Sequence, residues 1–430
     1  MTAGQEIERD PPRPRLSFLR SLGPGLVSGA SDDDPSGIAA YAQAGALLGY
    51  TACWFMLLCY PMMVVTQEIS ARIGRATGRG IIGIIARHYP RWLLDIIVGL
   101  VVLANIVNLG ADLGAMGAVL HVAVGGGAHF YVVLLGLACA ATLFLLSYER
   151  YVGAVKWLTL SMFAYFATAY SVDLPWGEIA YHTIMPELPL DQASVATFVA
   201  VVGTTISPYL FIWQASLEAE RARGLPKLRQ FSPLTQLAGA EIARIRIDTF
   251  SGMTVAALIA YAVIITAAAT LHRQGVLEVR TAAQAVEALR PATGPLAEKL
   301  FALGILGTGL LAVPMLAGSA AYALAEARKH PVGLGRTPGE ARVFYGAILV
   351  ASLAGVAFNF AKIDPMRALL WSAVINGLIS APVLVLMMLV AREPAIMGRL
   401  VLPPRLIVLG WITAAIMLAM AVGLVATLGR

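Results

Sequence analysis

Eleven apolar segments recur along this chain of 430 residues, and each is long enough to cross the ~30 Å hydrocarbon core of a bilayer. Only 13% of the residues are charged, about half the proportion found in soluble domains, and 58% are hydrophobic. The pattern predicts an all-α, polytopic membrane protein. The predicted spans cover residues 19–47, 51–75, 93–119, 130–148, 152–171, 193–221, 248–271, 297–325, 341–360, 365–391 and 405–427.

Lys and Arg are unevenly distributed over the segments that connect the predicted spans. With the N-terminus inside, 24 of the 31 fall on the cytoplasmic side and 7 on the other. This bias predicts a cytoplasmic N-terminus and an external C-terminus. The first 20 residues lack the apolar core of a signal peptide, so we expect an unprocessed protein of the cell (inner) membrane. The net charge of +6 follows topology and does not indicate a nucleic-acid partner.

Three consecutive carboxylates, Asp32, Asp33 and Asp34, interrupt the apolar stretch of the first span. One acidic side chain at bilayer depth costs about 2.5–3.5 kcal/mol, so three are incompatible with a continuous helix that faces lipid. Pro35 disfavours helical geometry at Asp34, and Gly37 tolerates unusual dihedrals. The sequence predicts a helix broken in mid-membrane, whose free carbonyls and carboxylate face a polar cavity. Such oxygen ligands suit a hard cation.

The sixth span has a similar interruption, in which Pro208 and several hydroxyl side chains lie in mid-membrane between Gly203 and Tyr209. Pro35 and Pro208 each fall in the first helix of a block of five spans. Interrupted segments at matching positions in two halves indicate an inverted-repeat transporter with a midplane site. We therefore predict a cytoplasmic tail (1–18), a first inverted repeat (19–171), a second (193–391) and an eleventh helix (405–430).

The resemblance to one family covers nearly the whole chain, and the motifs that carry it most strongly lie in its first half. They are Gly23-Pro24-Gly25, Asp34-Pro35, Gln43-Ala44-Gly45, Gln67, Ala71-Arg72-Ile73-Gly74, Thr77-Gly78, Ala111-Asp112 and the segment 203–208. In this combination the chain resembles the Nramp family of divalent-metal transporters. The resemblance implies a LeuT-type fold with helices 1 and 6 broken, and transport rather than catalysis. It implies no cofactor, because the divalent metal cation is the substrate.

Three motifs depart from the family's pattern. The first-helix signature Asp-Pro-Gly-Asn reads Asp34-Pro35-Ser36-Gly37, which removes an Asn amide ligand. The sixth-helix signature Met-Pro-His reads Ser207-Pro208-Tyr209, so a hard hydroxyl replaces a soft thioether and Tyr replaces a His linked to proton movement. The Asp-x-x-Glu pattern of the third span has Ala115 in place of the second acid. This combination is similar to the divergent Nramp-related magnesium transporters, which have also lost the Met.

From the resemblance and its departures we hypothesise a secondary transporter that works by alternating access. It favours a hard divalent cation, Mg²⁺ or Mn²⁺, with weak or no proton coupling. Asp34 is the principal candidate ligand, and the other candidate metal ligands are Ser31, Gly37, Gly203, Thr204, Ser207 and Asn376. Candidates for a polar route or gate are Asp32, Asp33, Asp112 and Tyr209. We expect a monomer in contact with membrane lipid.

Structural roles compete with several of these assignments. Asp34 is also suited to cap the helix that begins at Pro35, and the Ser207 hydroxyl is able to bond back to its own helix. Asp32 and Asp33 either line the cavity or pair with an Arg. Elsewhere the sequence favours interhelical hydrogen bonds for Asn105 and Asn108, a helix-end ion pair between Glu68 and Arg72, and a solvated helix end around Glu218 and Glu220.

Three other functions are compatible with parts of the sequence. The nearest is a proton-coupled importer of Mn²⁺ or Fe²⁺ with a rearranged site. A LeuT-type transporter of a small organic substrate would hold an anionic group at the broken-helix N-termini, which three neighbouring aspartates disfavour. A membrane enzyme is disfavoured because the sequence has neither metal-hydrolase spacing nor a nucleotide-binding motif.

Overall fold

The computed structural model describes residues 24–145, 163–170, 172–222, 236–279, 282–361, 365–398 and 402–428. Within these ranges all regular secondary structure is helical. The α-helices are α1 (Pro24–Ala30), α2 (Pro35–Leu48), α3 (Trp54–Thr77), α4 (Ile81–His88), α5 (Arg91–Val124), α6 (Ala128–Leu145), α7 (Phe163–Tyr170), α8 (Trp176–Ile184), α9 (Gln192–Thr205), α10 (Pro208–Ala222), α11 (Gln236–Thr270), α12 (Ala282–Ala327), α13 (Arg342–Phe358), α14 (Pro365–Arg392), α15 (Pro394–Met397) and α16 (Pro404–Leu428). The predicted tail (1–18) and most of the predicted fifth span lie outside the described residues.

Seven stretches of the described chain are long and apolar enough to cross a membrane. They are α5, α6, α9 with α10, α11, α12, α14 and α16. An eighth candidate combines α2 and α3, with a bend of 113° between Pro35–Ala52 and Trp54–Thr77, and α13 is a shorter apolar helix. Large apolar side chains such as Leu103, Phe130 and Trp371 are exposed on these helices, as expected for a lipid-facing surface. The prediction of an all-α polytopic membrane protein is confirmed.

The first predicted span is broken where the sequence indicates. α1 ends at Ala30, α2 begins at Pro35, and residues 31–34 between them are not helical. Asp34 is the N-cap of α2, with φ −65° and ψ 167°, and its carboxylate accepts a hydrogen bond from the Gly37 N–H. Pro35 occupies the first helical position, where a missing N–H costs nothing, and its ring keeps Asp34 extended. Local sequence chemistry therefore determines where the helix breaks.

The sixth predicted span is also broken, over a shorter length. α9 ends at Thr205 and α10 begins at Pro208, so Ile206 and Ser207 form the break. Ile206 leaves helical geometry, with φ −121° and ψ 51°. Pro208 cannot donate to a carbonyl of α9, which explains why the second helix starts there.

The broken helices pack against partners that an inverted repeat would exchange. α1 and α2 lie against α11, which is the seventh predicted span, whereas α10 lies against α3, which is the second. If each of the first five spans is exchanged with its counterpart in the next five, the contact between spans 1 and 7 becomes the contact between spans 6 and 2. The contact between α5 and α12, which are spans 3 and 8, is unchanged by the same exchange. The fold is a 5+5 inverted repeat followed by α16, and the residue boundaries given above for the repeats stay a prediction.

Glycines allow both broken helices to approach their partners closely. A Cβ on Gly29 of α1 would lie 2.4 Å from the Gly252 carbonyl on α11, and a Cβ on Gly203 of α9 would lie 2.3 Å from the Ala373 carbonyl on α14. Neither side chain could be added without a shift of backbone. The first halves of both broken helices are therefore held against neighbours by backbone contact.

The expectation of a solvated helix end is wrong for Glu218, whereas Glu220 is half-buried in the last turn of α10. Glu218 is 0% exposed, and its Oε2 lies 2.6 Å from Nη2 of Arg244 on α11. Glu220 accepts hydrogen bonds from the Tyr322 hydroxyl and the Leu334 N–H. The physical reason is that α11 begins at Gln236, three turns before the predicted span, and its extra turns supply Arg244. The expected ion pair between Glu68 and Arg72 is present.

Candidate metal centre

The three aspartates of the first break are fully buried, and Asp34 is the one enclosed by hydrogen-bond donors. Its Oδ1 accepts from the Ser36 hydroxyl at 2.7 Å and from the Gly37 N–H at 2.6 Å. Its Oδ2 accepts from Asn108 Nδ2 and from the Tyr209 hydroxyl, both at 2.9 Å. An ionised carboxylate offers about four lone-pair directions, so all of them are used. Asp34 is thus both the helix cap and the centre of a network that joins α2, α5 and α10.

Asn108 is itself held by a residue of a fourth helix. The Ser372 hydroxyl of α14 lies 2.7 Å from Asn108 Oδ1 and 2.8 Å from the Leu369 carbonyl. Asn108 is 0% exposed and Ser372 is 1% exposed. Because the amide oxygen faces a hydroxyl donor, the amide nitrogen faces Asp34. The prediction of an interhelical hydrogen bond is confirmed for Asn108, and also for Asn105, whose Nδ2 donates to the Leu316 carbonyl at 3.3 Å.

Asp112 lies one helical turn beyond Asn108 and meets the N-terminus of α2. Its Oδ1 accepts a hydrogen bond from the Ser36 N–H at 3.1 Å, and its Oδ2 has no partner among the described residues. This contact places Asp112 against Ser36, two residues from Asp34, and its part in a polar route stays a prediction. It also satisfies one of the free N–H groups at the start of α2.

Asp32 and Asp33 differ from Asp34 because all four of their carboxylate oxygens lack hydrogen-bond partners among the described residues. Neither forms an ion pair with an Arg in the described ranges, so the alternative of an Arg partner finds no support there. The Tyr41 hydroxyl is also buried and has no hydrogen-bond partner in the part of the chain that the structure describes.

The second break presents neutral groups that are turned toward their own helix. The Ser207 hydroxyl lies 2.8 Å from the carbonyls of Gly203 and of Thr204, which is the alternative that the sequence left open. Similarly, the Ser31 hydroxyl donates to the Val27 carbonyl at 2.9 Å. Thr204 Oγ1 has no partner among the described residues. A Cβ on Gly37 would lie 3.2 Å from Thr204 Oγ1, so this hydroxyl faces the start of α2.

Asn376 on α14 is buried, and neither its amide oxygen nor its amide nitrogen has a partner among the described residues. The following residue, Gly377, packs against Gly203 of α9. The structure therefore brings together Asp34, Gly37, Asp112, Tyr209 and Thr204. Asn376 lies beside them, at the contact between α9 and α14.

Sequence reasoning missed the part that Asn108 and Ser372 play at this site. Asn108 was assigned an interhelical bond without its partner, and Ser372 was not singled out. A helix places residues four apart on one face, so the spacing of Asn108 and Asp112 was the available signal. Ser372 gave no comparable signal, because its role depends on how α14 packs against α5.

The donor set limits how a metal ion would be held. No group of three or more His, Cys, Asp or Glu in the described ranges is arranged to hold an ion. Carboxylate ligation from Asp34 would therefore need hydroxyl, amide or backbone oxygens to complete the coordination. Such a set is typical of Mg²⁺, Ca²⁺ and Mn²⁺ sites, which use oxygen ligands.

Comparison with known proteins gives an independent line of evidence. Residues 25–427 match the family model described as Nramp, natural resistance-associated macrophage protein-like. The chain is 26% identical over 421 residues to the divalent metal cation transporter MntH of Deinococcus radiodurans, covering 95% of this chain and 90% of that protein.

Solved structures support the fold. The chain is similar to the Eremococcus coleocola manganese transporter in complex with an aromatic bis-isothiourea substituted compound, with a TM-score of 0.76, 14% identity and coverage of 97% and 88% of the two chains. It is also similar to Mhp1, a nucleobase-cation-symport-1 family transporter, with a TM-score of 0.50, 14% identity and coverage of 94% and 92%. The predicted LeuT-type fold is confirmed.

Proposed function

We infer that this chain, which belongs to the Nramp family, is a secondary transporter of divalent metal cations that works by alternating access. The observation that carries the proposal is the position of Asp34, a buried carboxylate in one broken helix that contacts the other through Tyr209. Movement of either broken helix would change the groups around Asp34, which links the site to the conformation of the protein. The MntH relative, named a divalent metal cation transporter, supports the same substrate class.

We propose a hard cation, Mg²⁺ or Mn²⁺, as the preferred substrate. All four lone-pair directions of Asp34 accept hydrogen bonds, so either the ion itself or a water of its hydration shell has to take the place of a donor. Mg²⁺ gives up water reluctantly and usually keeps several in its sites, which suits contact through a water that replaces one donor. Ser207 stands where the family has a Met, so the soft ligand that favours transition metals is missing at that position.

The proposed ligand set combines Asp34 with oxygens of the second break. Thr204 supplies a hydroxyl that has no other partner among the described residues and faces α2. If the Ser207 hydroxyl turns toward the ion, it releases the carbonyls of Gly203 and Thr204 at the same time. Smaller contributions are proposed for the Ser31 carbonyl, for the Asn376 amide oxygen, and for Gly37, whose missing side chain leaves space beside Thr204.

We propose that proton coupling is weak or absent. Tyr209 occupies the place of the family's His, and Ala115 occupies the place of its second acid, so two groups suited to carry protons are missing. The alternative is a proton-coupled importer of Mn²⁺ or Fe²⁺ with a rearranged site. The observation that favours this alternative is the set of buried carboxylate oxygens on Asp32, Asp33 and Asp112 that have no partner within the described ranges and are able to take up protons.

We also propose that the protein is a monomer in the cell (inner) membrane, with its N-terminus in the cytoplasm and its C-terminus outside. The distribution of Lys and Arg supports this orientation. Fusing alkaline phosphatase, which is active only outside the cytoplasm, to the C-terminus tests it. An active fusion is expected. An inactive fusion that is expressed at a normal level would indicate the opposite orientation, with the C-terminus in the cytoplasm.

Flux measurements on vesicles that contain the pure protein test the function. Vesicles loaded with a Mg²⁺-sensitive dye should show Mg²⁺ uptake that Cd²⁺ inhibits poorly, without internal acidification. Absence of Mg²⁺ uptake together with strong Cd²⁺ uptake would rule out the hard-cation site. Internal acidification in fixed proportion to metal uptake would favour the proton-coupled alternative.

A further inference from the structure

We propose that Asn108, oriented by Ser372, is a positioning residue that determines how Asp34 meets the transported ion and therefore which ions are preferred. The inference rests on the proposed function of Asp34 as a metal ligand. It adds a residue of α5 and a residue of α14 to a site otherwise built from the two breaks.

The orientation of the Asn108 amide follows from its two contacts. Nδ2 lies 2.9 Å from Asp34 Oδ2, and Oδ1 lies 2.7 Å from the Ser372 hydroxyl. Reversing the amide would place its oxygen against a carboxylate oxygen, where two acceptors repel. All three side chains are at most 1% exposed, so solvent water does not compete for these bonds. Asn108 is therefore a fixed donor.

The other side-chain donors to Asp34 are freer to move away. The Ser36 and Tyr209 hydroxyls each donate through a single rotatable O–H, so they can turn aside when a cation approaches. The Asn108 amide is planar, so its N–H cannot turn aside unless the whole amide moves away from the Ser372 hydroxyl, whose single O–H is shared with the Leu369 carbonyl. The Gly37 donor is backbone. One donor therefore remains on each oxygen of Asp34, and the carboxylate cannot give both oxygens fully to one ion.

This restriction has a consequence for selectivity. An ion that binds by exchanging its water for several protein ligands loses part of its affinity at Asp34, because a donor remains on each carboxylate oxygen. An ion that retains its water loses less affinity. Mg²⁺ is bound through few carboxylates and several waters, so the fixed donor on Oδ2 favours it over Cd²⁺. Removing that donor should therefore shift preference toward Cd²⁺ rather than weaken all ions equally.

Asn105 provides a matched control on the same helix. It is buried as Asn108 is, and it also makes an interhelical hydrogen bond, to the Leu316 carbonyl, but it does not contact Asp34. Asn105→Leu and Asn108→Leu therefore each remove one buried amide that makes an interhelical hydrogen bond. Only Asn108→Leu removes a hydrogen-bond donor from Asp34. Ser372→Ala is a milder test that leaves Asn108 in place and removes the group that orients it.

The experiment is calorimetry of Mg²⁺ and Cd²⁺ binding to the full-length protein and these variants. In Asn108→Leu we expect the ratio of the Mg²⁺ to the Cd²⁺ dissociation constant to rise about tenfold, the effect of one hydrogen bond to a charged group. Ser372→Ala should move the ratio in the same direction by about threefold, because it weakens the bond without deleting it. Asn105→Leu should leave the ratio unchanged.

Two results would overturn the inference: an unchanged ratio in both Asn108→Leu and Ser372→Ala, or an equal shift in Asn105→Leu. If Asn108→Leu fails to fold, Ser372→Ala alone decides. If Asp34→Ala binds both ions as the wild type does, Asp34 is not a ligand, and both the proposed function of this site and the inference about Asn108 are wrong. Loss of binding in Asp34→Ala with unchanged ratios elsewhere overturns only the role of Asn108.

Discussion

The two breaks in the membrane helices occupy matching positions in the repeat, yet they are stabilised in different ways. At the first break, Asp34 collects donors from α5 and α10 as well as from its own helix. At the second break, the Ser207 hydroxyl bonds only to carbonyls of its own segment. At both breaks the second helix begins at a proline, so the difference in how the breaks are stabilised lies in charge. A buried carboxylate requires several donors, whereas a hydroxyl is satisfied locally.

The difference separates the roles of the two breaks in the proposed mechanism. The first break provides the negative charge that attracts a dication and the contacts that connect it to other helices. At the second break the Ser207 hydroxyl and the carbonyls that it contacts are neutral oxygens that become available only after a local rearrangement. Substitutions at the two breaks should therefore have unequal effects on ion binding.

Asp34→Asn should have the largest effect. Asn is as good an N-cap as Asp, so α2 should still begin at Pro35, while the anionic ligand is lost. We expect Mg²⁺ and Mn²⁺ dissociation constants to rise at least about 100-fold, equivalent to about 2.7 kcal/mol. Calorimetry measures the constants, and circular dichroism with gel filtration checks the fold. Binding within a few-fold of the wild type would place the ion elsewhere.

Ser207→Met should change the selectivity of the second break. A thioether in place of the hydroxyl offers a soft ligand, so Cd²⁺ should bind about tenfold more tightly while Mg²⁺ does not. Ser207→Leu is the control, because it adds similar volume without sulfur. Competition of Cd²⁺ against Mn²⁺ uptake in vesicles gives the ratio. Equal behaviour of the Met and Leu variants would mean that this side chain does not reach the ion.

Tyr209→Phe distinguishes a donor from a ligand by the sign of its effect. Its hydroxyl occupies Asp34 Oδ2, so an ion that binds this oxygen directly must displace it. Removing the hydroxyl should raise Mn²⁺ affinity about threefold, within the range expected for one hydrogen bond. A titration of the variant beside the wild type measures the change. Weaker binding in Tyr209→Phe would instead make the hydroxyl a ligand.

Cys59→Ser should have the smallest effect. The buried thiol belongs to α3, whereas the donors to Asp34 belong to α2, α5 and α10. We expect Cd²⁺ affinity to change by less than about twofold, since sulfur attracts this ion only when it is a ligand. A tenfold loss of Cd²⁺ affinity in the variant would bring sulfur into the site and contradict the oxygen-only ligand set.

The sequence predicted those features that depend on neighbouring residues. Hydropathy located the spans, and Pro35 and Pro208 located both breaks, because proline acts on the residue before it and on its own helix. Long-range contacts were not accessible in this way. The burial of Glu218 depends on Arg244 from another helix, and the orientation of Asn108 depends on Ser372, 264 residues further along the chain. Such pairs become visible only when helix packing is known.

Anomalous diffraction from crystals of the protein soaked in Mn²⁺ tests the central claim most directly. The account predicts one strong peak beside Asp34, between the break at residues 31–34 and the break at Ile206–Ser207, with oxygen atoms of protein and water around it. A strong peak remote from Asp34, with none at the two breaks, would contradict the account.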